Sequence, residues 1–267
     1  MGLEKEFDQF WAKGYLIVPK MFDQKEMDIL KNIIANHDGM QRRAEMIADK
    51  MAQGKRPSFE TIFVWNDTAG NDVFAKATRR AAIFDRLEDF FKDNIYVYHN
   101  KITLKYPGMV GFRYHQDYAY WYGMGNLYPD MATVLIAVDG MTRENGCLKI
   151  LEGSHKMGRI DHVFDDGVSD SGVCPERLEV IKKRLPEVFV ELESGDVVMF
   201  HCNTLHGSDD NESSHSRIAL IGCYNTRGNN PYQSACGHPF YQTQEKVFEK
   251  ITEKDANNLP DFELNFS

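Results

Sequence analysis

The chain has 267 residues, 42% of them hydrophobic, and a formal net charge of -9. That length and apolar content suit one domain with a sizeable core, while the acidic balance argues against a nucleic-acid partner, which needs a basic face. Five cysteines without a CxxC pair point away from a disulfide framework or structural zinc and towards a reducing cytoplasm. No apolar run approaches the roughly 20 residues of a membrane crossing, and the start MGLEKEFDQFWAKGY is charged and lacks a signal-peptide apolar region. The expected product is soluble and cytoplasmic, with no membrane partner. An acidic total still leaves room for a local basic pocket that takes a small anion.

Residues 1–94 read as mostly helical. Phe7, Phe10 and Trp11 share one helix face. Tyr15–Val18 is a short strand ended by Pro19. Asp23 is placed to cap a second helix, with Glu26 completing a capping box, and Met27, Leu30, Ile33 and Ile34 form its apolar stripe. A third helix is expected over about 73–92. From residue 95 the texture changes to alternation: Ile95–Tyr98 first, then Ile102, Leu104 and Tyr106. Further strands are expected at 110–116, 131–138, 147–151, 188–192, 196–201 and 216–225, with a turn over Glu193–Asp196. Many short strands separated by turns imply a mainly β sandwich or barrel over about 95–227, flanked by the N-terminal helices in a single 1–267 domain. Segment 158–187 interrupts the pattern, turns helical near 175–185, and reads as an insertion or lid. The tail, 228–267, reads as irregular with a short helix near 243–254.

Arg113-Tyr114-His115-Gln116-Asp117 is the central feature. On a strand, His115 and Asp117 point to the same side and can meet one metal ion. A second histidine from a distant strand completes a two-histidine, one-carboxylate set, which leaves coordination positions open as in non-haem iron(II) oxygenases. An HxD triplet alone is weak, since a surface His–Asp pair is common. Its complement lies in Gly195–Ser208, where a turn, an apolar strand and a loop deliver His206-Gly207-Ser208. Eleven residues on, Arg217 heads the apolar strand Arg217–Leu220. Burying that guanidinium is unfavourable unless it is paired, and a dicarboxylate pairs it as a bidentate fork.

These residues resemble the signature of the phytanoyl-CoA dioxygenase family. Glu144-Asn145-Gly146-Cys147-Leu148 and Leu151-Glu152-Gly153-Ser154-His155 are similar to its central stretch, with Glu152 where the family has proline. The resemblance covers about 95–225 and implies a double-stranded β-helix (jelly-roll, cupin-like) core. It also implies iron(II), 2-oxoglutarate as co-substrate, and dioxygen. Carried over, His115, Asp117 and His206 match the iron ligands and are the expected catalytic residues. Arg217 matches the grip on the far carboxylate of 2-oxoglutarate, and Ser208 a polar helper beside it. His99 and Thr103 fall where related ectoine hydroxylases place amides near 2-oxoglutarate, and Thr133 is a further cofactor-binding candidate. A carboxylate at 117, where halogenases of this kind need a small residue, favours hydroxylation.

Tyr120, Trp121 and Tyr122 follow the metal triplet and are candidates to touch substrate, although core packing is as good a reading for half of the aromatics there. Arg159 and His162 are candidates for a cationic patch near the metal mouth; the plain alternative is a solvated loop in which Arg159 pairs with Asp161 or Asp165. The expected reaction is hydroxylation of a small polar, anionic or zwitterionic metabolite, either amino-acid-like or an organophosphonate such as 2-aminoethylphosphonate. Alternatives are an acyl-CoA hydroxylase of the same family, a non-catalytic jelly-roll binding or sensor protein, and a zinc hydrolase. The chain is expected to act as a monomer or homodimer on a small molecule.

Overall fold

The computed structural model describes residues 2–55, 70–163, 171–233 and 237–259, together with the backbone of 60–65. Helix α1 (Leu3–Lys13) leads into strand β1 (Tyr15–Val18), then α2 (Gln24–Asn36), α3 (Asp38–Ala52), β2 (Glu60–Trp65), α4 (Val73–Thr78) and α5 (Ala81–Phe91). Strands β3 (Ile95–Lys105) and β4 (Phe112–His115) follow, then helix α6 (Asp117–Gly123), β5 (Met131–Ala137) and β6 (Leu148–Leu151). Next come β7 (His162–Val163), β8 (Gly172–Val173), helix α7 (Pro175–Lys182) and β9 (Glu187–Val190). The last strands are β10 (Val197–His201), β11 (His206–Ser208) and β12 (Arg217–Thr226). No described helix is long and apolar enough to cross a membrane.

The long strands form a six-stranded sheet in the order β1-β10-β5-β12-β3-β2, and the others a four-stranded sheet in the order β4-β11-β6-β9. All the pairings are antiparallel. Strands β5 and β12 are buried along their whole length, because both faces of the large sheet are covered. On one face Val134, Ile136, Leu220 and Met199 pack against Phe10, Leu30, Phe74 and Phe84 of the helices. The alternate residues Leu135, Ile221, Val198 and Phe200 turn inward with Leu148, Ile150 and Val190 of the smaller sheet. This is the expected jelly roll, built of two facing sheets that do not close into a barrel.

The capping box at Asp23 forms: the Glu26 N–H donates to the Asp23 carboxylate at 3.0 Å, and the Asp23 N–H to the Glu26 carboxylate at 3.1 Å. Elsewhere in the first 94 residues the structure adds what patterning missed. Helix α3 is a further helix, and β2 joins the large sheet beside β3. The single helix expected over 73–92 is two. The Ala81 N–H donates to the Val247 carbonyl at 2.8 Å, and the Val247 N–H to the Arg79 carbonyl at 2.8 Å. The C-terminal segment thus takes up backbone groups that a continuous helix would use itself. The same bonds explain why no helix forms near 243–254, where only a 3-10 turn, Glu253–Asp255, is present. Ile251 likewise gives its N–H to the Glu26 carboxylate at 2.9 Å. Of the expected insertion, β7 pairs with β8 and α7 forms, while 164–170 lie outside the described residues.

Candidate active site

Strands β4 and β11 lie antiparallel with His115 directly opposite His206. The two rings are 4.1 Å apart between centroids. Each Nδ1 sits 2.9 Å from a backbone carbonyl, that of Arg113 for His115 and that of Thr204 for His206. Those carbonyls require the proton on Nδ1 and leave each Nε2 with a free lone pair, the form in which imidazole ligates a metal. Both Nε2 atoms lie 3.8 Å from Asp117 Oδ1. Candidate ligand atoms of the three residues all fall within 4.8 Å of one another, and all three residues are buried.

Asp117 reaches this point differently from the sequence expectation. It is not the alternate residue of a strand but the first residue of α6, after the strand ends at His115. The Tyr118 N–H donates to the Cys202 carbonyl at 3.1 Å and starts the turn. Tyr120 and Trp121 therefore follow helical spacing, and Trp121 lies on the Asp117 side one turn on. Burial disfavours an ionised Asp117, but the neighbouring His206, Lys101 and His115 and a hydrogen bond from Thr133 hold its carboxyl down to about 2. Burial in turn pushes His115 and His206 below the ordinary histidine range and keeps both neutral. Thr133, expected near a cofactor, lines the same cavity as Arg217 and donates its hydroxyl to Asp117 Oδ2 at 2.5 Å.

One cavity contains these three residues and the anion-binding candidates. It is lined by Lys101, Thr103, Ser208 and Arg217 on its polar side, and by Phe112, Leu135, Leu148, Phe200 and Ile221 on its apolar side. Arg217 opens β12, is buried, donates Nη1 to the Gly146 carbonyl, and has a buried Nε with no partner. Beside it lies Lys105, which the sequence reading missed. Its side chain is fully buried, and its Nζ donates to Ser208 Oγ at 2.8 Å and to the Asp209 carbonyl at 2.5 Å. Among the described residues neither cation forms an ion pair. Burial, then Arg217, lowers the Lys105 ammonium to about 7. Asp210 and Asp209 act on Lys105 as neighbouring charges but do not pair with it, and the unpartnered Arg217 Nε in particular calls for an external anion. Gly146, at φ 69°, is where the carbonyl contacted by both cations comes from.

Gln116, between the two ligand candidates, is fully buried and ties the site together. Its Nε2 donates to the Gly158 carbonyl at 2.8 Å and the Asn203 carbonyl at 2.6 Å, and its Oε1 accepts from the Ile160 N–H at 2.7 Å. The start of the 158–187 segment is thereby clamped to the metal strand. His162 is brought in by this clamp: its Nε2 accepts the Gln116 N–H at 3.0 Å, and its ring is 6.3 Å from that of His115. Arg159 is not brought in. It pairs with Asp161 at 2.8 Å and covers the exposed Tyr122 ring, the plain alternative for that loop. Tyr120 lies 6.0 Å from His115 between ring centroids and donates its hydroxyl to the Ser171 carbonyl. Trp121 is buried against Tyr98 and His99. His99 shares the cavity-facing side of β3 with Thr103 and Lys101 but packs against His238, from the C-terminal segment. A lysine at 101, two residues from each of two anticipated positions, was recognisable from that alternation alone.

The profile of the family described as phytanoyl-CoA dioxygenase (PhyH) matches residues 10–219. An ectoine dioxygenase of Streptomyces anulatus is 25% identical over 255 residues, which cover 88% of this chain and 80% of that one. A 2-aminoethylphosphonate dioxygenase of uncultured bacterium HF130_AEPn_1 is 29% identical over 143 residues, 54% of this chain and 50% of that one. The crystal structure of EctD from S. alaskensis in its apoform superposes with a TM-score of 0.68 over 93% of this chain and 87% of that chain, at 21% identity, and so shares the fold.

Proposed function

The chain belongs to the phytanoyl-CoA dioxygenase family and is an oxygenase that uses iron(II), 2-oxoglutarate and dioxygen; on that premise we propose that it hydroxylates a small anionic or zwitterionic metabolite in the cavity between its two sheets. The observation that carries this reading is Arg217, buried with an unpartnered Nε in the same cavity as the His115, Asp117 and His206 cluster, with Lys105 beside it bonded to the cavity-lining Ser208. Membership in an oxygenase family decides against the hydrolase and the non-catalytic binding module.

The residues present fit the cofactor and co-substrate. Two neutral imidazoles and an ionised carboxylate are a donor set for iron(II), and the orphaned Arg217 Nε with the Lys105 ammonium suits a terminal carboxylate. His115 Nε2, His206 Nε2 and Asp117 would hold the metal, while Arg217, Lys105 and Ser208 would take the far carboxylate of 2-oxoglutarate. When bound, iron with 2-oxoglutarate and dioxygen supplies the oxidising power for hydroxylation, coupled to decarboxylation of the co-substrate to succinate. The chain's own contribution is orientation and dryness: Phe112, Leu135, Leu148, Phe200 and Ile221 exclude water from the reacting centre. Asp117 fills the ligand position that a halide would need, which directs the outcome to hydroxylation.

Charge supports the substrate class. The ferrous ion, Asp117, the dianionic co-substrate and Arg217 cancel one another. Lys101, which makes no hydrogen bond or ion pair among the described residues, then stands as surplus positive charge in the cavity, and protonated Lys105 on the same strand adds to that surplus. A carboxylate or phosphonate on the substrate balances it. The test is succinate release with iron(II), ascorbate and 2-oxoglutarate against ectoine, 2-aminoethylphosphonate, free amino acids and a fatty acyl-CoA. Stimulation by a zwitterionic or phosphonate compound is expected; stimulation by the acyl-CoA alone would overturn the assignment of substrate class.

A further inference from the structure

Strand β3 carries a bulge next to the cavity. In its pairing with β12, His99 lies opposite Cys223 and Val97 opposite Tyr224, so the register shifts by one residue at Tyr98. Such an irregularity re-aims side chains. Val97 joins the core on the helix side, whereas Tyr98 joins the core between the sheets. The following residue, His99, meets Trp121 of that same inner core at 6.0 Å between centroids. Both Tyr98 and His99 therefore face inward, and His99 continues the row begun by Thr103 and Lys101, which line the cavity.

Into this bulge the C-terminal segment inserts His238, which is 7% exposed. Its ring stacks on Tyr98 at 4.4 Å and 22°, and meets His99 edge-on at 5.0 Å and 75°. His238 Nε2 and His99 Nδ1 are 3.2 Å apart. The contact holds one proton between its two nitrogens, so the direction of the bond decides which form of a neutral His99 exists. If His238 donates, the outer nitrogen of His99 carries a hydrogen; if His238 accepts, that nitrogen offers a lone pair. The outer nitrogen makes no hydrogen bond among the described residues. Burial, then Lys101 and His238, holds His99 far below the ordinary histidine range, which keeps it neutral.

We propose that His238 is a positioning residue: it locks His99 in one tautomer and one ring orientation, so that His99 offers a single defined hydrogen-bonding nitrogen to the substrate beside the iron centre. The inference rests on the oxygenase reading of the cavity. Packing alone does not account for the pair, since stacking on Tyr98 and contact with His99 require an aromatic ring but no ring nitrogen.

The experiment compares His238→Phe, which keeps the stacking and loses the nitrogen, with His238→Gln, whose amide both donates and accepts. Proton–nitrogen correlation spectra of the histidine rings are recorded on the diamagnetic zinc-substituted protein, with the His99 signals identified by their loss in His99→Gln. The wild type and His238→Gln show one His99 tautomer, and His238→Phe shows two in exchange. In turnover, His238→Phe raises KM for whichever of ectoine, 2-aminoethylphosphonate or the amino acids is hydroxylated by about tenfold, as the loss of one hydrogen bond implies. KM for 2-oxoglutarate stays unchanged, and His238→Gln restores the substrate KM. An unaltered His99 tautomer in His238→Phe overturns the proposal, as does an equal rise in KM for 2-oxoglutarate. If none of the three substrates is turned over, the proposed substrate class falls while the ring spectra still decide the role of His238.

Discussion

Thr133 donates its hydroxyl to Asp117 Oδ2 at 2.5 Å while Asp117 Oδ1 faces the Nε2 atoms of both His115 and His206, each at 3.8 Å. The hydroxyl fixes the rotation of the carboxylate, so one oxygen is always presented to the histidines. Outer partners of this sort typically contribute about 10–100-fold to metal affinity. Thr133→Val is expected to weaken iron(II) binding by about that range, and Thr133→Ser to restore most of it. An anaerobic iron titration followed by calorimetry checks the pair; equal affinity in Thr133→Val would show that Asp117 needs no support.

The three ligand candidates act as a unit. His115→Ala, Asp117→Ala and His206→Ala are each expected to abolish 2-oxoglutarate consumption, and a chelator is expected to abolish it in the wild type, with recovery on adding iron(II). Full hydroxylase activity in Asp117→Ala would remove that residue from the set. Arg217→Ala should act differently, raising the 2-oxoglutarate requirement strongly while leaving iron affinity in place.

Lys105 gives co-substrate binding a pH dependence. Burial and then Arg217 lower its ammonium to about 7, so the protonated fraction falls as pH rises through that value. Binding of the 2-oxoglutarate dianion should weaken from pH 6 to 8, and Lys105→Met should flatten the trend and raise KM at the lower pH. Stability of the ligand-free protein moves the other way. Above about 7 the folded lysine has released a proton that the unfolded one keeps up to roughly 10.4. The unfolded state then binds more protons, and stability rises with pH between those values. Urea denaturation at pH 7 and 9 should show a smaller rise in Lys105→Met.

Gly146 should tolerate no side chain. Its φ of 69° disfavours one, and an added Cβ would run into the Asp209 carbonyl and lie 2.9 Å from Lys105 Nζ. Gly146→Ala is expected to destabilise the fold by about 1–3 kcal/mol and, by displacing the carbonyl that meets Arg217, to raise KM for 2-oxoglutarate. Thermal unfolding together with steady-state kinetics tests both halves.

The chemistry of the cleft was legible where motifs are dense: His115, Asp117, His206 and Arg217 stand out by residue type and order, and the structure gathers them. What escaped were contacts made across long sequence distances. Lys105 ends an alternating strand just before Tyr106-Pro107-Gly108, where a lysine reads as solvated; its burial comes from Ser208 and Asp209, more than a hundred residues on. The run Tyr118-Ala119-Tyr120-Trp121-Tyr122 is aromatic at four of five positions, so periodicity does not single out α6, and Asp117 reads as the alternate residue of a strand rather than the start of a helix. The split between α4 and α5 depends on Val247, and the place of His238 on a segment with no periodicity at all.

One strand, β3, carries His99, Lys101, Thr103 and Lys105 at every second position on its cavity side. Such residues are about 6.6–6.8 Å apart along an extended chain, so the strand works as a comb of rigid teeth. On the proposed function, its Lys105 tooth would engage the co-substrate and its His99 and Lys101 teeth the molecule being oxidised. Exchanging one of those two outer teeth should therefore retune which metabolite is accepted, in steps of length and charge, while the metal centre and its decarboxylation chemistry carry on as before.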